Sequence, residues 1–152
     1  MKTEKFYGKS KSLALGTWVK LARTFTTVEK KAEESIRSFG LTTAQFGVIE
    51  ALGHLGDMTV GMLCEKMLAS GGNMTLVLDN LEKQNLVARV SNPNDRRALN
   101  ITLTKKGKNL FDEIFIKHAE YIENTMKVLT QTEQKQLGDL LKKLGLGIKA
   151  AQ

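Results

Sequence analysis

The sequence predicts a mainly α-helical fold that carries one small β-hairpin. Three observations lead there. Apolar residues recur every three or four positions through most of the chain, the period of an amphipathic helix. From Leu86 to Thr104 that period gives way to alternation: Leu86-Val87-Ala88-Arg89-Val90 and Leu99-Asn100-Ile101-Thr102-Leu103 each read as a half-buried strand. Between them, Ser91-Asn92-Pro93-Asn94-Asp95-Arg96-Arg97 gathers turn-forming residues and holds the only proline in the chain.

The elements follow in order. Residues 10–38 make the first helix, with Leu15, Trp18, Ala22, Phe25, Val28, Ala32, Ile36 and Phe39 three or four apart and Gly40 as its stop. Thr42-Thr43-Ala44-Gln45 has capping-box spacing and opens a second helix that presents Phe46, Ile49 and Leu52 to the core. Thr59 caps a short third helix, Val60 to Met67, and Ala69-Ser70-Gly71-Gly72 turns the chain. A fourth helix runs from about Asn73 to Gln84 with Met74, Val77, Leu78 and Leu81 inward. After the hairpin, Thr104 starts a long helix whose apolar face includes Phe111, Ile114, Phe115, His118, Ile122 and Leu129. Thr130-Gln131-Thr132-Glu133 repeats the capping box and opens a final helix with Leu137, Leu140, Leu141 and Leu144. The terminal helices hold more apolar face than a small central module covers, and a two-fold dimer is the commonest way to cover such surplus.

Composition narrows the function. The 152 residues suit one domain, and the net charge of +7 is unevenly placed. Residues 1–40 carry +5, residues 41–85 carry −3, residues 86–107 carry +4 and the remainder carries +1. Positive charge gathers on the first helix and the hairpin, which favours a polyanionic partner. The single cysteine, Cys64, leaves no intrachain disulfide framework. Met1 to Ser12 is polar and lysine-rich, and no stretch approaches the roughly 18–20 apolar residues of a bilayer span. A soluble, cytoplasmic chain with no membrane partner is the expectation. There is no Gly-rich phosphate loop, nucleophile motif or histidine–carboxylate cluster, so neither an enzyme nor a cofactor is expected. Glu50 and His54 lie four apart, but with His118 as the only other histidine they make no zinc motif.

Leu41-Thr42, Phe46, Leu81-Glu82, Leu86-Val87-Ala88-Arg89, Asn92-Pro93-Asn94-Asp95-Arg96-Arg97 and Leu103-Thr104-Lys105-Lys106-Gly107, in register from about residue 40 to 107, resemble the MarR family of bacterial transcription regulators. The resemblance implies a winged helix-turn-helix homodimer in one domain. Residues 41–107 would form the DNA-binding lobe, and residues 10–38 and 108–150 the dimerisation helices. It implies a repressor that binds a pseudo-palindromic operator in double-stranded DNA and is released by a small aromatic or phenolic effector.

Each matched part then has an expected role. The fourth helix would dock in the major groove, with Ser70, Asn73, Thr75 and Asn80 as contacts to backbone or base edges. Ser70 serves equally as a helix cap. Many family members carry arginine in the stretch matching Leu76 to Asn80, but here it reads Leu76-Val77-Leu78-Asp79-Asn80. Bidentate arginine–guanine readout is therefore absent from this face, and Leu76 is either a thymine-methyl contact or a packing residue. The resemblance sends Arg97 into the minor groove, held by Asp95, with Arg96 between them. Thr59, Lys83, Arg89, Lys105 and Lys106 are candidate phosphate contacts, Arg89 alternatively ordering the hairpin. Trp18, Phe25, Phe39, Phe46 and His54 are candidates for the effector pocket, with plain core packing as the alternative. Cys64 reads as structural. Two rival readings stand beside this one: a winged-helix module for RNA or protein contacts, and a metal- or redox-responsive regulator of the same family.

Overall fold

A computed structural model describes residues 7–67, 70–92 and 95–151, with the side chains of residues 95–98 excepted. The elements are α1 (Lys9–Ser38), α2 (Thr43–Leu55), β1 (Met58–Thr59), α3 (Val60–Met67), α4 (Gly71–Lys83), β2 (Val87–Asn92), β3 (Asp95–Leu103), α5 (Lys105–Met126) and α6 (Gln131–Ala150). The fold is mainly helical with a small antiparallel sheet, as the periodicities predict.

Local chemistry sets the helix ends. Gly40 adopts a φ of 74° beyond α1, and its N–H donates to the Arg37 carbonyl at 3.0 Å. Both capping boxes close. Gln45 N donates to Thr42 Oγ1 at 3.2 Å while Thr42 N donates to Gln45 Oε1 at 2.9 Å. Glu133 N donates to Thr130 Oγ1 at 3.3 Å, and Thr130 N donates to Glu133 Oε2 at 2.8 Å. The exit from α4 rests on Asn85, a non-glycine residue at φ 57°. Asn85 N donates to Glu82 O at 2.8 Å and Leu86 N to Leu81 O at 2.9 Å, which ends the helix and turns the chain into β2.

The sheet departs from expectation in two ways. It has three strands, in the order β1-β3-β2, because Met58 pairs with Ile101 and Thr59 with Asn100. A two-residue strand carries no readable alternation, so the sequence hid β1. The hairpin strands also extend further than their alternation, β2 to Asn92 and β3 back to Asp95. Asp95, Arg96 and Arg97 thus have strand backbone; Pro93 and Asn94 lie outside the described residues.

One core joins these pieces. Phe46, Val48, Ile49 and Leu52 of α2 meet Leu63 of α3, Met74, Val77, Leu78 and Leu81 of α4, and Met58, Val87, Ile101 and Leu103 of the sheet. Burying such side chains stabilises the fold by about 1.5–3 kcal/mol each. α1 and α5 each add one buried apolar residue, Ile36 and Ile114, and α6 adds none. Much of the apolar face predicted on the first and last helices is solvent-exposed here, including Leu15, Trp18, Phe25, Leu140, Leu141 and Leu144.

Candidate nucleic-acid interface

α4 divides cleanly into two faces. Met74, Val77, Leu78 and Leu81 are buried, while Ser70, Asn73, Thr75 and Leu76 are exposed and Asn80 is half-buried. Ser70 stands at the N-cap with extended backbone, yet its side chain makes no capping hydrogen bond. The N–H groups of the first turn therefore point outward unmasked by a side-chain cap, a suitable setting for phosphate oxygens. Thr75 Oγ1 donates back to Gly71 O at 3.0 Å, so its hydroxyl proton is already committed. Leu76 is 61% exposed and is no part of the core.

The base of the wing is tied to both neighbouring helices. Thr104 N and Thr104 Oγ1 donate to Leu86 O and Asn85 O, at 3.1 and 2.7 Å. Thr104 Oγ1 in turn accepts from Gly107 N at 3.0 Å and caps α5. A Cβ on Gly107 would lie 2.0 Å from Leu86 O, so only glycine fits this approach of α5 to the wing. This geometry explains the spacing of Leu103-Thr104-Lys105-Lys106-Gly107: threonine clamps the strand and glycine lets the helix in.

The candidate phosphate contacts separate by their partners. Lys83 and Lys105 are exposed. Lys106 Nζ donates to Gln84 O at 2.9 Å, placing its charge at the C-terminal end of α4. Thr59 Oγ1 accepts from Met62 N at 3.2 Å at the start of α3, the capping role read from the sequence. Arg89 is not a free cation: it donates to Asp79 Oδ1 at 2.6 Å and also to Glu82 Oε2. The Asp79 hydrogen bond leads in raising its pKa above the usual arginine range; burial opposes this and the Glu82 charge adds to it. The side chains of Asp95, Arg96 and Arg97 lie outside the described residues.

The aromatic candidates fall into three places. Trp18 and Phe25 are exposed on α1. Phe39 and Phe46 stack with centroids 6.5 Å apart, and Phe46 lies 4.6 Å from the His118 ring. His54 packs edge-on against Phe111 and Phe115, at 5.0 and 4.3 Å. His118 Nδ1 is 3.0 Å from Ser35 Oγ, a buried hydroxyl of α1, so this ring joins α1, α2 and α5. Cys64 is half-buried at the edge of the core. Among the described residues, no group of three or more His, Cys, Asp or Glu side chains is placed to hold a metal ion.

Sequence reasoning missed the Asp79–Arg89–Glu82 bridge. Its signal was present as two acids three residues apart on the helix expected to dock in the major groove, followed by an arginine early in the next strand.

A helix with an exposed polar and apolar stripe, followed by an antiparallel ribbon and packed on a helical core, defines a winged helix-turn-helix protein. The chain belongs to the MarR family of transcription regulators. A MarR-family profile matches residues 39–98. The chain is 34% identical to the HTH-type transcriptional regulator MhqR of Bacillus subtilis, over 91% of this chain and 94% of that one. It is 31% identical to the HTH-type transcriptional repressor MdtR of the same organism, over 82% of this chain and 80% of that one. A cysteine-to-serine mutant of E. coli MarR, solved in complex with operator DNA, matches with a TM-score of 0.73 at 25% identity. That match covers 88% of this chain and 95% of the other. These relatives are regulators of transcription and not enzymes. Among the described residues, no helix is long and apolar enough to cross a membrane.

Proposed function

We propose that this protein is a cytoplasmic homodimeric repressor that recognises a pseudo-palindromic operator in double-stranded DNA. The observation that carries this reading is the outward face of α4, with Ser70, Asn73, Thr75 and Leu76 all exposed next to a net-positive ribbon. An α-helix fits the major groove, and a guanidinium suits the narrow, negative minor groove. α4 would read base edges while Arg96 and Arg97, with Asp95 beside them, follow the adjacent minor groove. Similarity to a named repressor and to an operator-bound MarR supports the same reading.

The dimer completes it. α6 buries no residue within the chain, and Leu15, Trp18, Phe25, Leu140 and Leu144 remain exposed. A second copy covering these faces would pair two α4 helices about a two-fold axis, which is what a palindromic site requires. A small aromatic effector would act at the junction of α1, α2 and α5, where Phe39, Phe46, His118 and Ser35 meet.

Fluorescence anisotropy on duplex DNA from upstream of the protein's own gene tests the reading, with a scrambled duplex of equal length titrated at matched salt. Tight binding to the native duplex alone is expected, and small aromatic acids can then be screened for release. Equal and salt-sensitive binding to both duplexes would reduce the interaction to phosphate attraction and overturn sequence-specific regulation from that site.

A further inference from the structure

Negative charge on a helix that meets DNA opposes binding, yet α4 carries Asp79 and Glu82 one turn apart. Arg89 accounts for them. Its Nη2 reaches Asp79 Oδ1 at 2.6 Å and its Nη1 reaches Glu82 Oε2, so one planar fork spans two carboxylates. The arginine side chain is 25% exposed against 45% and 41% for its partners. Among the described residues, every other ion pair lies within a single helix. This one alone joins two elements, and they are α4 and β2.

Its location gives it leverage. Arg89 pairs across the ribbon with Ile101, the same residue that β1 reaches through Met58. Beyond this point and the next pair, the ribbon continues with two strands only. Three residues, Gln84 to Leu86, connect α4 to β2. The angle between helix and ribbon is therefore decided at the root, where Arg89 sits.

We propose that Arg89 is a positioning residue for operator recognition, bolting the wing to α4 so that both meet the duplex at one fixed offset. The inference rests on the DNA-binding function proposed above. Adjacent grooves lie at set separations, so a wing free to swing loses its contact whenever α4 is seated. The specific complex suffers from that freedom, while non-specific attraction to phosphates does not.

Charge and position predict opposite signs, which makes the test sharp. Asp79→Asn removes a negative charge; by field alone it would tighten binding to every duplex. The bolt predicts weaker binding to the specific duplex, with binding to a scrambled duplex unchanged or tighter. Arg89→Lys keeps the charge but cannot fork two carboxylates, so it should behave like Arg89→Gln. The ratio of specific to scrambled affinity should fall about tenfold in each variant. The Asp79→Asn/Arg89→Gln double variant should be no worse than either alone, as residues of one network are non-additive.

The probe is a duplex selected from a random library by the full-length protein, with circular dichroism as the folding control. Glu82→Gln, which leaves the Asp79 contact, provides a milder variant should the others fold poorly. Hydrogen–deuterium exchange supplies a readout without DNA: Arg89→Lys should speed exchange across residues 87–103 and leave α5 unchanged. Wild-type exchange in that variant, or a wild-type affinity ratio for Arg89→Lys, overturns the proposal. A wild-type protein that selects no duplex, with exchange behaving as expected, would instead overturn the DNA-binding function and leave the bolt standing as structure.

Discussion

Leu76 shows what a single residue gains from being placed. In the sequence it reads equally as a packing residue or a base contact; at 61% exposure on the outer face of α4 it is not core. A helix with no arginine on that face has apolar contact as one of its few ways to tell thymine from cytosine. Replacing thymine by deoxyuridine throughout the specific duplex should weaken wild-type binding about fourfold per contacted methyl, near 0.8 kcal/mol each. Leu76→Ala should bind the two duplexes alike in the same titration. A variant that still prefers thymine would remove Leu76 from readout. Other residues were less legible. Arg89 reads from the sequence as either a phosphate contact or a residue that orders the hairpin, because its sequence neighbours do not reveal that Asp79 and Glu82 stand beside it in space. Ser70 holds the cap position without making the bond, a distinction that lies in a side-chain rotamer and leaves no trace in residue type.

At the scale of elements, legibility follows the range of the interactions. Both capping boxes were readable because each closes within four residues. The long helices were readable from repeated spacing, and the left-handed Gly40 marked the end of α1. β1 was not: two residues paired with Ile101 and Asn100 depend on a partner some forty positions away. The clamp at the wing base falls between these cases, its motif visible and its reason hidden. Gly107→Ala tests that reason. The added carbon would meet the Leu86 carbonyl at 2.0 Å, and backbone cannot yield as a flexible side chain does. A loss of about 1–3 kcal/mol in urea unfolding is expected, the range for overpacking a filled site. Gly61→Ala, where a Cβ meets only Thr59 Oγ1 at an ordinary 3.9 Å, should show no such loss.

For the whole molecule, His118 ties α5 to α1 and α2 through Ser35 and Phe46. Burial lowers its pKa below the usual 6.5, and the charge of Glu50 partly opposes this. The folded protein thus binds this proton less readily than the unfolded chain. The stabilising contribution is present above about pH 6.5 and is lost as pH falls through the depressed folded value. The thermal midpoint should drop between about pH 7.5 and about pH 5.5, and His118→Gln should flatten that drop. An equal drop in the variant would place the titration elsewhere. The exposed apolar faces of α1 and α6 were legible as surplus from the sequence, since periodicity reports which residues share a face without reporting what covers it.

The pairing of Met58 with Ile101 also bears on how the chain is made. Both side chains belong to one core, yet about forty residues separate their emergence from the ribosome. Until β3 appears, Met58 and Leu63 lack part of their cover, and the nascent chain carries open apolar surface through that interval. Slow codons before residue 101 would prolong the interval, so aggregation during synthesis should respond to translation speed there more than after it.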